Sequence, residues 1–318
     1  MKIVITDLDH ADQNMEREVF AKAGLEFALL ECRTEDDLIN QIKDYEIALN
    51  QYAPFTKRVF DALPNLKQII RYGVGVNNVD LEAAKEAGVQ VCNVPDYGMH
   101  EVSDHAIALS LSIIRKVPKM DKAVHDGVWD FTVAAPIRRF CETTVGVVGL
   151  GRIGRLYAKK MHELGFKIVG YDKFYKPSAA DGTDYIKGAS LDEVIAEADI
   201  FALFCPVTNE NFHMIDEAAI SRMKNGVYIV NTARGGLIDE DALAKALKSG
   251  KIAGAALDTT EIEPLPENSP LRALDNCQLT PHMAWYSEDA ALELKRKVAE
   301  EAVRFSNGES INWGLVQL

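Results

Sequence analysis

The chain has 318 residues, a formal net charge of −13 and five cysteines. This length exceeds what one hydrophobic core usually holds, so we expect two domains, and the excess negative charge disfavours nucleic acid as a partner. No apolar run approaches the ~20 residues that span a bilayer, and the N-terminus lacks the pattern of a signal peptide. Because the cysteines are widely scattered, we expect no disulfide framework, no metal site and a cytoplasmic location.

The first hundred residues alternate strand and helix patterns. KIVITDL at 2–8 predicts a strand, and the segment 14–24 predicts a helix with Asn14 as a possible cap and Gly24 as its end. A second helix begins at TEDDLINQIK, where Thr34 is a plausible cap. The strands are short continuous apolar runs, which indicates a parallel sheet covered on both faces.

The segment HEVSDHAIALSLSIIRKV at 100–117 predicts a long helix. It is apolar nearly all round in its middle, so we expect it to be buried between domains or between subunits. A second alternating series starts near Thr144, and a last helix covers roughly 287–306. The pattern predicts an α/β protein with two doubly wound parallel-sheet domains.

The second series opens with a glycine-rich turn between a strand and a helix, VGVVGLGRIG. Gly149 permits a tight turn, Gly151 lets the backbone approach a pyrophosphate, and Gly154 lets the helix pack closely. The helix N-terminus offers unpaired N–H groups and a partial positive charge to phosphates. The turn therefore predicts a dinucleotide site.

A second strand, FKIVGYD, ends in Asp172 about twenty residues further on. A carboxylate at this position accepts hydrogen bonds from both ribose hydroxyls of NAD and repels the extra phosphate of NADP. Lys173 weakens this preference without reversing it. NAD is the predicted cofactor.

Four polar segments follow other apolar runs, at the sheet edge where open α/β folds bind ligands. They contain Arg234, Asp258 with Glu263, His282, and the glycine turn at 73–75. Singly, each of them could be structural; together they indicate a site.

Reduction of a 2-oxo acid needs three kinds of group. Arg234 can bind the carboxylate and polarise the carbonyl, and His282 can donate a proton to the developing alkoxide. Glu263 can orient the imidazole and raise its pKa. Backbone N–H groups of the turn from Gly73 to Val76 can bind the substrate carboxylate.

Over nearly its whole length the sequence resembles the NAD-dependent D-2-hydroxyacid dehydrogenase family. The resemblance rests on an ordered set of motifs: RYGVGVNNVD, CNVP, VGVVGLGRIG, CPVTNENFHMI, NTARGGLIDEDAL, GAALDTTEIEPLP and LTPHMAWYS.

The resemblance implies an architecture and a set of site residues. A Rossmann cofactor domain at 100–286 is inserted into a flavodoxin-like substrate domain at 1–99 and 287–318, and members usually form homodimers through the cofactor domain. Arg234, Glu263 and His282 match the family's catalytic residues. The implied cofactor contacts are Val74, Gly149, Gly151, Arg152, Ile153, Gly154, Asp172, Cys205, Pro206, Asn211, Thr232, Ala233, Asp258 and Ala284. The implied substrate contacts are Arg71, Gly73, Val74, Gly75 and Trp285.

PHMAWYS resembles two branches of the family, the D-lactate dehydrogenases and the C-terminal-binding-protein corepressors. By resemblance Trp285 walls the substrate pocket, which favours apolar, thioether or aromatic side chains; alternatively it is an ordinary core residue. Two functions stay open: an enzyme that interconverts 2-oxo acids and D-2-hydroxy acids, and an NAD-sensing corepressor-like dimer. The chain has essentially no additional segment at either end to recruit partners, which favours the enzyme.

Overall fold

The computed structural model of the chain describes residues 1–10 and 12–316. The chain divides into two compact units. Unit 1 consists of Met1–Gly98 with Ser287–Leu318, and unit 2 consists of Met99–Tyr286. Both units are α/β folds with entirely parallel sheets, so the predicted fold class is confirmed.

The strands and helices alternate along the chain. The strands are β1 (Ile3–Ile5), β2 (Phe27–Leu29), β3 (Ile47–Asn50), β4 (Gln68–Arg71), β5 (Gln90–Cys92), β6 (Thr144–Val148), β7 (Lys167–Tyr171), β8 (Ile186–Gly188), β9 (Ile200–Leu203), β10 (Val227–Asn231), β11 (Ile252–Leu257) and β12 (Cys277–Leu279). The helices are α1 (Asn14–Lys22), α2 (Glu35–Gln41), α3 (Lys57–Ala62), α4 (Leu81–Glu86), α5 (Met99–Ile114), α6 (Val117–His125), α7 (Arg152–Glu163), α8 (Leu191–Glu197), α9 (Glu217–Arg222), α10 (Glu240–Ser249) and α11 (Glu288–Ser306).

Unit 1 has a five-stranded sheet in the order β2-β1-β3-β4-β5, which is the flavodoxin-like order. Ile3 and Ile5 enter one apolar cluster and Val4 enters another, because alternate residues of a strand point to opposite faces. Both faces of this sheet are therefore buried, which explains the continuous apolar runs.

The helix ends of unit 1 agree with two of three predictions. Gly24 follows α1 with a φ of +68°, and Thr34 forms a capping box with Asp37 at the start of α2. The prediction for Asn14 is wrong: Gln13 is the cap and makes no side-chain hydrogen bond. The backbone N–H of Asn14 donates instead to Asp12 Oδ1 (2.9 Å), so the aspartate two residues earlier accepts the first N–H of the helix.

Unit 2 has a seven-stranded sheet in the order β12-β11-β10-β9-β6-β7-β8. Strands β8, β7, β6, β9, β10 and β11 follow the Rossmann order, and β12 extends the sheet by one strand. Because every pairing is parallel, the loops that leave the carboxyl ends of these strands share one edge.

The predicted helix at 100–117 is shorter than expected. It ends at Ile114, and a left-handed residue, Lys116 (φ +55°), separates it from α6. One face of α5 packs within unit 2 against α7, β10 and β11, with Ala106, Leu109 and Ile113 buried. Part of its apolar character is therefore explained by its own unit. In the described part of the chain no helix combines the length and apolarity that a membrane span needs.

Candidate active site

The predicted cofactor and catalytic residues of unit 2 follow its strands at a single sheet edge. The turn at 149–154 follows β6, and Asp172 follows β7. The segments 205–211, 232–234 and 258–263 follow β9, β10 and β11, and residues 282–285 follow β12.

Two of the three glycines of the turn are required by close packing, and the third leaves the backbone open. Gly149 has a φ of +95°, and a Cβ there would lie 2.6 Å from the backbone N of Cys205. A Cβ on Gly154 would lie 1.9 Å from the carbonyl oxygen of Gly149, so no other residue fits without a shift. A Cβ on Gly151, in contrast, would meet no heavy atom within 4 Å. Gly151 caps α7 without a side-chain hydrogen bond, so the first amides of the helix can serve an anion.

Asp172 is held rigidly beside this turn. Its Oδ2 accepts the N–H of Leu150 (2.7 Å), and its Oδ1 accepts the N–H groups of Phe174 (2.8 Å) and Tyr175 (2.9 Å). A carboxylate has about four acceptor positions, so about one remains for a ribose hydroxyl.

Lys173 is paired within the protein. Its Nζ lies 2.8 Å from Glu210 Oε2, in the loop after β9. Its positive charge is therefore largely compensated, and it weakens a preference for NAD less than the sequence suggests.

Two further side chains bear on a dinucleotide. Thr232 is buried, and its Oγ1 has no hydrogen-bond partner among the described residues. Such an orphaned hydroxyl is costly unless a ligand pairs with it. Burial raises the pKa of the Cys205 thiol to about 11, so this side chain is uncharged at neutral pH. The open helix amides, the fixed carboxylate of Asp172 and the unpaired Thr232 hydroxyl together fit NAD.

The remaining predicted cofactor residues lie in the same loops. Arg152 and Ile153 form the first turn of α7, with Arg152 exposed. Asn211 Nδ2 donates to the carbonyl of Pro206 (2.8 Å), which closes the loop after β9. Ala233 donates its N–H to Asn231 Oδ1 (2.9 Å).

His282 and Glu263 form a short hydrogen bond. Nδ1 of His282 lies 2.6 Å from Glu263 Oε2, and Glu263 Oε1 accepts the N–H of Thr260 (3.1 Å). Burial by itself would raise the Glu263 pKa, but the hydrogen bond and charge of His282, the Thr260 N–H and the Arg234 charge together lower it. Because the carboxylate is ionised, Nδ1 carries the proton of the bond, and Nε2 is the nitrogen that can exchange a proton with a ligand.

The backbone at His282 is strained. Its φ is +51°, in the left-handed region that non-glycine residues rarely adopt. The buried Asp258 holds it there: its carbonyl accepts the His282 N–H (2.8 Å), and its carboxylate accepts from Thr280 Oγ1 (2.6 Å), Met283 N (2.9 Å) and Ala284 N (2.9 Å). Asp258 thus supports the loop that carries His282.

Arg234 is brought close to Glu263 by the glycine that follows it. A Cβ on Gly235 would lie 1.9 Å from the carbonyl carbon of Thr260 and 2.2 Å from the N of Glu261, so the two loops meet backbone to backbone. Arg234 Nη1 donates to the carbonyl of Ala233 (2.6 Å), and its charge contributes to the lowered pKa of Glu263. Unit 2 therefore gathers the guanidinium, the carboxylate and the imidazole in one place.

The predicted substrate residues of unit 1 lie at the carboxyl end of β4. Arg71 ends that strand, and a Cβ on Gly73 (φ +134°) would lie 1.6 Å from Arg71 Nη1. Val74 is 42% exposed, and its carbonyl accepts from Asn93 Nδ2 (2.7 Å). Gly75 is half-buried in the same turn. Arg71 thus covers the turn.

Trp285, in unit 2, is half-buried and lies edge-on to the ring of Tyr286, with a centroid separation of 5.6 Å.

Sequence reasoning did not identify Gly235 or His105 as part of this site. Gly235 had a local signal, because a glycine directly after a candidate arginine is typical of a close backbone approach. His105 had none: its Nε2 lies 3.1 Å from Thr280 Oγ1 and 3.6 Å from Asp258 Oδ1, far away in sequence. Because Thr280 donates to Asp258, His105 Nε2 is the donor to Thr280.

Comparisons with known proteins identify the family of the chain. The sequence profile of the family described as "D-isomer specific 2-hydroxyacid dehydrogenase, NAD binding domain" matches residues 107–284. A hydroxypyruvate reductase of Blautia hydrogenotrophica is 33% identical over 328 residues, covering 98% of this chain and 99% of that protein. A D-3-phosphoglycerate dehydrogenase of Archaeoglobus fulgidus is 37% identical over 288 residues, covering 90% of this chain, which spans only about half (54%) of that relative's length.

A solved structure extends the likeness to three dimensions. The D-lactate dehydrogenase of Aquifex aeolicus, complexed with NAD and lactic acid, has a TM-score of 0.88 to this chain. It is 28% identical, and the match covers 96% of both chains. From its sequence profile, its full-length relative and its fold, the chain belongs to the D-isomer-specific 2-hydroxyacid dehydrogenase family.

Proposed function

We propose that the protein is an NAD-dependent dehydrogenase that interconverts a 2-oxo acid and the corresponding D-2-hydroxy acid. The observation that carries this proposal is the His282–Glu263 pair (2.6 Å) beside Arg234, at the ligand-binding edge of an NAD-binding domain. A proton donor, a group that holds it in place and a cation are what carbonyl reduction needs.

Each of the three side chains has one task in the proposed mechanism. Arg234 binds the substrate carboxylate and polarises the carbonyl. His282 Nε2 gives a proton to the alkoxide oxygen during reduction and removes it during oxidation. Glu263 accepts the Nδ1–H and so keeps Nε2 directed at the substrate. When bound at this site, NADH would supply the hydride that reduces the carbonyl carbon, and NAD+ would accept the hydride in the reverse reaction.

Other residues bind rather than react. The turn at 149–154, Asp172 and Thr232 would hold the cofactor, and the backbone of the turn at 73–76 would bind the substrate carboxylate. We further propose that Trp285 contacts the substrate side chain. Asp172→Ala should narrow the preference for NAD over NADP, and an unchanged ratio would show that Asp172 does not contact the ribose.

The test of the function is a panel of 2-oxo acids with NADH, followed by chiral analysis of the product. We expect at least one acid to be reduced, with the D-isomer formed. His282→Ala should lower kcat by at least ~100-fold and change the Kd for NADH little, because the proton matters only as the alkoxide forms. No NADH consumption with any acid would remove the enzyme and leave an NAD-binding protein.

We also propose that two copies of the chain associate through unit 2. Trp129 and Phe131 are only two residues apart and are 90% and 85% exposed, and neighbouring apolar side chains exposed together are typical of an interface, whereas a single one is not. The double variant Trp129→Ser, Phe131→Ser should shift the mass in light scattering from dimer to monomer. Phe174→Ser, a change at an equally exposed phenylalanine (89%), should leave the mass unchanged. A wild-type monomer would refute the proposal.

We propose that the protein acts in the cytoplasm. All five cysteines are free, and Cys32 and Cys92 are buried, which suits a reducing compartment.

A further inference from the structure

A polar cluster joins the carboxyl ends of β1 and β3 in unit 1. Asp9 Oδ1 accepts from Gln51 Nε2 (2.6 Å), and Asp9 Oδ2 accepts from the hydroxyl of Tyr52 (2.8 Å). The Asp9 N–H donates in return to Gln51 Oε1 (3.0 Å). The buried Asp7 fixes the backbone beneath, because its carboxylate accepts the N–H groups of Gln51 (3.2 Å) and Tyr52 (2.5 Å). This cluster is a rigid arrangement on an exposed edge.

The cluster is next to the turn that would bind the substrate carboxylate. Strands β3 and β4 are paired with Asn50 opposite Arg71, which places Tyr52 beside that arginine. Arg71 Nη1 in turn lies over Gly73, and its charge acts on the Tyr52 hydroxyl. Tyr52 therefore borders the turn at which a 2-oxo acid would be held by its carboxylate.

The cluster presents acceptors rather than donors. The Tyr52 proton is directed at Asp9. The partial burial of the ring, together with Asp9, raises the pKa of this phenol, so the phenol stays protonated and its oxygen retains acceptor capacity. Two of the roughly four acceptor positions of the Asp9 carboxylate are used, which leaves about two. Tyr52 is 51% exposed, so these positions can be reached by a ligand.

From this arrangement we infer that Asp9 and Tyr52 select the substrate: a small 2-oxo acid whose side chain carries an uncharged hydrogen-bond donor, such as a hydroxyl. The inference rests on the proposed function and specifies its substrate class. Asp9 acts as a positioning residue for the Tyr52 hydroxyl, and its negative charge opposes a side chain that carries a phosphate or a carboxylate.

The experiment compares three acids that share one carbon skeleton. With NADH, kcat/KM is measured for pyruvate, hydroxypyruvate and 3-phosphohydroxypyruvate, which differ only in a hydrogen, a hydroxyl or a phosphate on the third carbon. For the wild type we expect kcat/KM for hydroxypyruvate to exceed that for pyruvate by about tenfold, which is the factor for one good hydrogen bond. It should exceed the value for the phosphorylated acid by more.

Two variants separate the hydrogen bond to Tyr52 from the effect of the Asp9 charge. Tyr52→Phe should lower the hydroxypyruvate-to-pyruvate ratio of kcat/KM several-fold, because the phenol oxygen is lost as an acceptor. Asp9→Asn should raise the relative kcat/KM for 3-phosphohydroxypyruvate several-fold, because it removes the repelling charge. Tyr45→Phe is the matched control: Tyr45 precedes β3 and lies at the opposite end of that strand, so all three values should be unchanged.

The ratios do not depend on the fraction of folded protein, so a variant that is partly unfolded remains informative. A wild-type ratio near one, a preference for pyruvate, or an equal loss for all three acids in Tyr52→Phe would overturn the inference and leave the dehydrogenase intact. Failure of the wild type to reduce any 2-oxo acid would overturn the proposed function itself, and this inference with it.

Discussion

Replacement of Asp258 by asparagine tests whether its carboxylate holds the loop that carries His282. The carboxylate accepts three hydrogen bonds, from Thr280 Oγ1, Met283 N and Ala284 N. An asparagine has one oxygen and one NH₂, so in either orientation the NH₂ group faces at least one donor. The better orientation keeps the two bonds at the Oδ1 position and leaves the buried Ala284 N–H without a partner.

The magnitude follows from these contacts. A buried, unsatisfied N–H costs ~1–3 kcal/mol, and two bonds to a charged acceptor become weaker neutral ones, at a further cost of ~1 kcal/mol. The loop should therefore open more easily by about 2–4 kcal/mol. At ~1.4 kcal/mol per factor of ten, hydrogen exchange of the 280–284 amides should accelerate by ~30-fold or more.

Two measurements check this reasoning. Hydrogen exchange reports directly how often the loop opens. In addition, kcat should fall because the loop no longer holds the imidazole of His282 in place. Asp216→Asn is the matched control: Asp216 caps α9 by accepting the N–H of Ala219 (2.8 Å), and asparagine caps a helix equally well. If Asp258→Asn leaves both exchange and turnover at wild-type values, the carboxylate does not hold the loop.

Three other changes test the site. Glu210→Gln should free Lys173 to bind a 2′-phosphate and raise kcat/KM for NADPH relative to NADH several-fold; a constant ratio would show that the ion pair has no role in the choice of cofactor. Because the pKa of Glu263 is lowered in the folded protein, its stabilising contribution is present above the ordinary value of 4.5 and is lost as the pH falls through the lower folded value. The melting temperature of Glu263→Gln should accordingly depend less on pH below 4.5 than that of the wild type, and parallel curves would contradict this. Gly235→Ala should lower kcat by at least ~10-fold because its Cβ meets backbone. Gly236→Ala should be milder, because its Cβ meets side chains, with the ring of Phe212 nearest at 3.1 Å; equal effects would show that the backbone contact is unimportant.

Local sequence patterns were sufficient to predict the sheet edge that carries the site and the residues that lie along it. The continuous apolar runs predicted buried parallel strands, and the residue types that follow them placed Asp172, Arg234 and His282 at carboxyl ends. Local patterns were weaker at helix ends. Asn14 was a reasonable cap by type, yet Asp12 accepts the first N–H, because both residues can serve and only the path of the chain decides between them.

What the sequence by itself determined was the fold class, the glycine-rich turn and the identity of the three candidate catalytic side chains, because each depends on residue type and on spacing over a few residues. What only the tertiary structure decided were the contacts between segments far apart in the chain. His105 reaches Thr280 across 175 positions, and Asp9 reaches Tyr52 across 43. Such contacts depend on the order in which strands lie side by side, and no local periodicity encodes that order.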